Sequence, residues 1–409
     1  MSQGRFSLGR TALLIGIILL VLILAAGGFL ANQYLRPLPA VAAHTQLQAE
    51  REIGTAPNLP WPSKGSAAVS MKGFGVLAAH NDDTPRPIAS TAKIMTALLT
   101  LEDHPLDPGQ QGPVVTMTPQ DVADYQTDLS QDQSVVPVVA NEKLSELQLL
   151  QALLLPSGNN IADVLAKWDA GSRDAFIAKM NAKATALSMT HTHYDDASGF
   201  SAQTVSTSSD LLVVGAAAMG NEVFRQIVAS SQATLPIAGV VYNVNSALGK
   251  NGNIGIKTGS TDQAGGCFVS AMAEKVNGKP AEIYAATLGQ NELGNALDAT
   301  KALSQTAASS FQQAKVLSRT DVVATLTPEW GSPINVVPTK DVEMLAWPGT
   351  SLKASVKLDP VKAPLPSGTK VGTITLELGK QTQQVDVVTT APIVQPTWQW
   401  RATRFLRHQ

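Results

Sequence analysis

The first long apolar run lies between Thr11 and Leu35, a segment without charge in which Thr11–Ala31 is almost wholly apolar. At about 1.5 Å per residue, 11–31 makes a helix of roughly 31 Å, close to the ~30 Å hydrocarbon thickness, which predicts a membrane-spanning anchor. Arg5 and Arg10 precede it, so the positive-inside rule keeps 1–10 in the cytoplasm and sends everything after Arg36 outward. A cleavable signal peptide is the competing reading, because Ala40-Val41-Ala42 fits a small-x-small cleavage pattern. That site lies far beyond the apolar run, and an uncleaved anchor is expected.

From Asn32 onward the chain is rich in Pro, Ala and polar residues without sustained periodicity, and 32–56 reads as a tether. Ala67–Met71 and Gly75–Ala79 flank Lys72-Gly73 and predict a β-hairpin. Ile94, Met95, Leu98 and Leu99 then fall at i, i+1, i+4 and i+5, a helical pattern with Ser90 at its mouth. Helical periodicity returns over Glu142–Leu155, breaks at Pro156-Ser157-Gly158, and resumes over Asn160–Trp168 and Arg173–Ser188. Ser157-Gly158-Asn159 is thus a loop between helices.

Near Lys257 the period changes to that of strands. Ile254–Lys257 and Cys267–Val276 are followed by Asn277-Gly278 and Ala281–Leu288, and Asn-Gly between apolar runs is a strong hairpin signal because both positions take positive φ. A helix over Asp298–Gln313 closes a unit spanning 57–313. Beyond it, Ile374, Leu376 and Leu378 alternate with Thr373, Thr375 and Glu377, and 314–392 reads as a small all-β domain. The tail, 393–409, places Trp398, Ala402, Phe405 and Leu406 on one helical face and Arg401, Arg404 and Arg407 on the other, suited to a membrane surface.

Composition narrows the class. The 409 residues allow two or three domains, and 30 Lys and Arg against 32 Asp and Glu leave a net charge of −2, with no positive field for nucleic acid. Cys267 is the sole cysteine, which excludes an intramolecular disulfide and a cysteine metal site; in its apolar strand it reads as a small core residue. His191-x-His193 has no accompanying acidic motif, so no metal is expected. Asp195, Asp196 and Asp210 read as turn-forming and helix-capping residues.

Three short motifs occur in order: Ser90-Thr91-Ala92-Lys93, Ser157-Gly158-Asn159 and Lys257-Thr258-Gly259. A second Ser-x-x-Lys, Ser367–Lys370, stands in a turn of the β domain and shows that the first motif alone is weak. At a helix start, i and i+3 share a face, so the Lys93 amine can reach the Ser90 hydroxyl and serve as its base if burial or a cationic neighbour lowers its pKa. Lys257 can supply that second charge. Ser157 can relay a proton to a leaving group, Asn159 can hold a substrate amide, and Lys257 with Thr258 can bind a carboxylate. Gly259, lacking Cβ, lets the strand backbone approach a substrate laid along it.

The same trio marks class A β-lactamases and penicillin-binding proteins. The sequence resembles the low-molecular-mass penicillin-binding proteins of the D-alanyl-D-alanine carboxypeptidase family, peptidase S11-like. The resemblance extends over Ile88–Ala97, Leu153–Asn160, Met180–Ala184 and Gly255–Asp262, and over Pro364–Leu378 in the β domain. It implies an α+β fold, a serine β-lactamase/penicillin-binding-like domain with an antiparallel sheet flanked by helices and a helical subdomain, followed by the small all-β domain.

The resemblance further implies an acyl-enzyme at Ser90 with Lys93 as general base, an oxyanion hole from the backbone N–H groups of Ser90 and Ser260, and substrate binding by Asn159, Lys257, Thr258, Gly259 and Ser260. The implied partners are peptidoglycan stem peptides, whose terminal D-alanine is removed, and β-lactams as covalent inhibitors, with no cofactor. A β-lactamase and a catalytically silent wall-binding scaffold are the alternatives. Two departures stand out. The family often reads Ser-Gly-Asn-Asp-Ala-Ala at the second motif, whereas Asn160-Ile161-Ala162-Asp163 follow Ser157-Gly158-Asn159 here, and Asn295-Ala296-Leu297 lacks the arginine common just before the closing helix.

Overall fold

A computed structural model describes residues 6–406 of the chain. Arg5 and Arg407, invoked above for topology and for the tail, lie outside the described residues. Helix α1, Phe6–Leu35, contains an apolar stretch over Arg10–Leu35 whose most apolar 18-residue part has mean hydropathy 3.0 and is not buried. It runs one turn past the expected end at Ala31, carrying Asn32, Gln33 and Tyr34 beyond the apolar run.

The segment 32–56 is not a free tether. Ala42–Thr45 pairs antiparallel with Ala324–Thr327, and Glu50–Ile53 pairs with the start of Thr350–Leu358. These two stretches form the outer strands of a seven-stranded sheet whose inner members are Ala324–Thr327, Ile334–Pro338, Gln381–Thr389, Lys370–Leu378 and Thr350–Leu358. Apolar alternation could not announce them, because as edge strands they bury almost nothing beyond Ile53; backbone pairing rather than side-chain burial places them. The C-terminal β domain therefore draws residues from both sides of the 57–313 unit.

That unit is built on a five-stranded antiparallel sheet in the order Asn253–Thr261, Gly265–Val276, Lys279–Gln290, Ser66–Met71, Gly75–His80. Asn277 and Gly278 take φ of 50° and 75° at the tight turn between the second and third strands, as their identities require. The central strands are buried on both faces. Ala67, Val69, Met71, Ile283 and Ala285 meet Leu303, Ala307 and Phe311 at one face, while Ala68, Val269, Ala271, Tyr284 and Ala286 join the helical core at the other.

The helical layer comprises α2 (Lys93–Asp103), α3 (Pro119–Ser130), α4 (Glu146–Leu154), α5 (Asn159–Ala170), α6 (Arg173–Ala186), α7 (Ser208–Ala218) and α8 (Glu222–Val228). Helix α9, Leu293–Ser310, covers the opposite face and begins five residues earlier than the periodicity predicts. Phe311 follows at once and stacks edge-on against both Phe74, at 5.1 Å, and Trp347 of the β domain, at 5.3 Å. Helix α10, Trp398–Thr403, and a 3₁₀ turn at Arg404–Leu406 end the described chain.

Candidate active site

Ser90 does not stand on the α-helix itself but in a 3₁₀ turn, Ala89–Ala92, that feeds into α2. Three residues per turn eclipse i and i+3, which brings Lys93 Nζ to 2.8 Å from Ser90 Oγ. Ala89 holds φ of 47°, a costly conformation for a residue with a Cβ and one that the surroundings must impose. Ser90 remains partly accessible, whereas Lys93 is completely buried.

Three acceptors surround Lys93 Nζ: Ser90 Oγ, Asn159 Oδ1 at 2.6 Å and the Ser198 carbonyl at 2.9 Å. A neutral amine has two N–H groups and one lone pair. With the N–H groups donated to Asn159 and Ser198, the lone pair faces the Ser90 hydroxyl and can accept its proton. Burial, and then the charge of Lys257, drive the Lys93 pKa well below its usual value, against weaker opposition from Asp196, Asp163 and Asp128.

Helix α5 presents Asn159 at its first position, and the preceding loop carries Ser157. Ser157 adopts φ of 72° and its buried hydroxyl has no hydrogen-bond partner among the described residues. A strained residue with an unsatisfied hydroxyl is an observation that points to chemistry. Asn160 behaves as a packing residue: its Oδ1 accepts from Val136 N at 3.0 Å and its Nδ2 donates to Val136 O at 2.9 Å.

The third motif lies on Asn253–Thr261, the strand at one edge of the five-stranded sheet. Lys257 and Thr258 are buried and Ser260 is exposed. Among the described residues the only acceptor for Lys257 Nζ is the Thr258 carbonyl, 3.0 Å away, and burial lowers the Lys257 pKa to about 7. A buried ammonium without a carboxylate partner suits an incoming anion. The free edge of the strand can pair with an extended peptide.

Gly259 has a contact that its place on the strand did not announce. A Cβ there would lie 2.8 Å from Ser90 N and 3.1 Å from Thr91 N, so the glycine admits the Ser90 turn.

Sequence reasoning missed the fourth wall. Asp195 and Asp196 form the expected turn, but the turn rests on the site. Asp196 accepts from Ser198 Oγ (2.6 Å), Phe200 N (2.9 Å) and Thr204 Oγ1 (2.6 Å), fixing the Ser198 carbonyl that faces Lys93. Gly199, at φ of 83°, packs so closely that a Cβ would sit 1.8 Å from the Ala89 carbonyl. Gln133 is the other unforeseen contributor: its Oε1 accepts from Asn159 Nδ2 at 2.6 Å, which sets the amide so that Oδ1 faces the lysine. The Asp-x-Ser-Gly pattern was a visible turn signal; Gln133 carries none.

His191 and His193 do not meet as a metal pair. The His193 backbone pairs with Val205, the His191 backbone N–H donates to Asp210 Oδ2 at 2.9 Å, and among the described residues no group of three or more His, Cys, Asp or Glu side chains could hold a metal. Cys267 is fully buried, and burial raises its thiol pKa to about 11. Ser367 donates to the Thr390 carbonyl and stands apart from the three motifs, in the β domain.

Comparison with known proteins gives one family. The profile of peptidase S11, D-alanyl-D-alanine carboxypeptidase, matches residues 63–289. D-alanyl-D-alanine carboxypeptidase DacB2 of Mycobacterium tuberculosis is 36% identical over 227 residues, covering 54% of this chain and 74% of that one. A D-alanyl-D-alanine endopeptidase of Escherichia coli is 30% identical over 254 residues, covering 59% and 76%. The crystal structure of the Streptomyces K15 DD-transpeptidase superposes with a TM-score of 0.54 at 27% identity, over 62% of this chain and 98% of that one. The D-alanyl-D-alanine carboxypeptidase DacD of Francisella tularensis shares the fold over 84% of this chain and 97% of its own, with a TM-score of 0.59 at 20% identity.

Proposed function

Because the chain belongs to the peptidase S11 family, we propose that it is a serine-type D-alanyl-D-alanine carboxypeptidase that removes the terminal D-alanine from peptidoglycan stem pentapeptides and is acylated by penicillins. The observation that carries this reading is the 2.8 Å contact between Ser90 Oγ and the fully buried, pKa-depressed Lys93.

Lys93 takes the Ser90 proton as Oγ attacks the carbonyl of the penultimate D-alanine. The N–H groups of Ser90 and Ser260 receive the oxyanion, while Lys257 and Thr258 hold the terminal carboxylate. The proton then passes from Lys93 through Ser157 to the nitrogen of the departing D-alanine as the C–N bond breaks. Water enters and attacks the Ser90 ester as Lys93 takes its proton, and Lys93 returns that proton to Ser90 Oγ as the Oγ–C bond breaks and the shortened peptide leaves. With α1 in the membrane, the catalytic unit acts on the extracytoplasmic side.

The test is D-alanine release from a stem pentapeptide, measured beside covalent labelling and turnover of a fluorescent penicillin. Release with long-lived labelling, both lost in Ser90→Ala, is the expected result. Fast penicillin turnover without D-alanine release would make the protein a β-lactamase. Neither activity would leave a wall-binding scaffold, and labelling that survives in Ser90→Ala or moves to Ser367 would end the assignment of Ser90.

A further inference from the structure

The tail does not extend away as an independent amphipathic strip. Helix α10 and the Arg404–Leu406 turn fold back on the end of α1. Arg404, only 8% exposed, donates from Nη2 to the Gln33 carbonyl at 2.8 Å and from Nη1 to the Pro37 carbonyl at 3.1 Å. Arg401 donates to the Tyr34 carbonyl at 3.2 Å, and its guanidinium lies 5.1 Å from the Tyr34 ring. Gln33 and Tyr34 are in the last turn of α1, where carbonyls have no partner within the helix. The arginines supply those partners at the negative end of the helix dipole.

Apolar contacts continue the interface. Phe405 meets Phe29 edge to face at 5.1 Å, and Trp398 and Ala402 line one groove with Leu30, Ala31, Tyr34 and Leu35. On the other side of α10, Trp400 is buried against Trp330 of the β domain at 5.6 Å. The tail thus touches the anchor with one face and the β domain with the other.

We propose that the tail is a clasp: it locks the end of the membrane anchor to the β domain, so that α1 and α10 together present one lipid-contacting surface and hold the catalytic unit in a fixed attitude above the bilayer. The partner is the outer boundary of a lipid bilayer. An apolar run ending at Ala31 puts residues 32–37 at headgroup depth, where tyrosine and tryptophan are favoured. Trp398, Tyr34, Leu35 and Leu406 remain at least half exposed or nearly so, and continue the lipid-facing surface of α1. This inference rests on α1 spanning a membrane, but it differs from a tail that binds lipid by itself.

The full chain, reconstituted in vesicles of phosphatidylcholine and phosphatidylglycerol in equal parts, carries the test. Ala31→Cys with Ala402→Cys places two thiols on the shared groove, and a short bis-maleimide should link them within one chain. Arg404→Ala removes two charge-assisted hydrogen bonds and should lower the yield about tenfold or more. Penicillin labelling of every variant verifies that the catalytic unit is folded. An intact chain that fails to cross-link, or whose yield is unchanged by Arg404→Ala, would overturn the clasp alone. A chain whose mass shows 11–31 removed would overturn the anchor reading and the clasp with it.

Discussion

Gly259 and Ser90 are in backbone contact: a Cβ on the glycine would stand 2.8 Å from the serine nitrogen. The edge strand and the turn that presents Ser90 are therefore fitted to each other. Gly259→Ala should push the Ser90 turn outward by a few tenths of an ångström or more. A misplacement on the order of 1 Å costs about 10²-fold in rate, so acylation by a fluorescent penicillin is expected to fall toward that extent while the melting temperature changes little. Unchanged acylation would show that the turn tolerates the displacement.

Lys93→Arg keeps a cationic N–H donor at this position, but an arginine does not deprotonate at working pH and so offers Ser90 no lone pair. Acylation should fall by about 10²-fold or more, the scale of a general-base contribution. Stopped-flow measurement of the second-order acylation constant decides the matter. Near-normal acylation would remove Lys93 from the role of base.

Most of this constellation is legible in the amino-acid order because it depends on side-chain identity at short spacing. Ser90 with Lys93, Ser157 with Asn159, and Lys257 through Gly259 each lie within four consecutive residues. The Ser198 contribution is a backbone carbonyl, and any residue type could offer it, so no pattern could reveal it. Helix α3 escaped for another reason: Asp121 is its only buried residue and its apolar stripe is thin, Val122 and Tyr125 packing half-buried against the core, although Pro119 and the capping box of Thr118 and Asp121 mark its start. The strands at 42–45 and 50–53 were illegible because what orders them is a distant sheet edge, not their own side chains.

Lys257 has a pKa near 7 because burial disfavours its charge. In the free enzyme it is protonated below that value and able to hold a carboxylate, and it loses this capacity as pH rises through about 7. Since kcat/KM reports the free enzyme, its profile for a stem peptide should decline on the alkaline side near pH 7. A bound carboxylate favours the ammonium, so the corresponding limb of kcat should lie at higher pH. Lys257→Arg stays charged throughout and should abolish the decline in kcat/KM. If that variant keeps the limb at the same pH, the limb belongs to another group.

Glu146 is a stability counterpart away from the nucleophile. Its carboxyl is fully buried, neither oxygen has a hydrogen-bond partner among the described residues, and burial raises its pKa to about 7. Between the unfolded value near 4.5 and the folded value near 7 the native state binds more protons, so stability falls with rising pH across that window. Glu146→Gln removes the ionisable group. The variant should exceed the parent by something on the order of 2 kcal/mol at pH 8, with the difference shrinking toward its acid-side value as pH falls to about 4.5. Urea denaturation at the two pH values tests this, and a difference independent of pH would assign the burial no ionic penalty.

The anchor supplies the last prediction. A helix with about 20 apolar residues inserts effectively irreversibly, whereas a short amphipathic tail gives weaker, reversible membrane association. Deleting Trp398–Leu406 should therefore leave the protein in the membrane fraction through a high-salt wash, while loosening the end of α1 from the β domain. The retained chain should begin upstream of Thr11. Cleavage after Ala42 would remove α1 together with the first residue of the strand Ala42–Thr45 and leave Arg401 and Arg404 without the Tyr34, Gln33 and Pro37 carbonyls they bind. N-terminal sequencing that starts at Ala43, together with release of the protein by the tail deletion, would transfer the anchoring role to the C-terminus.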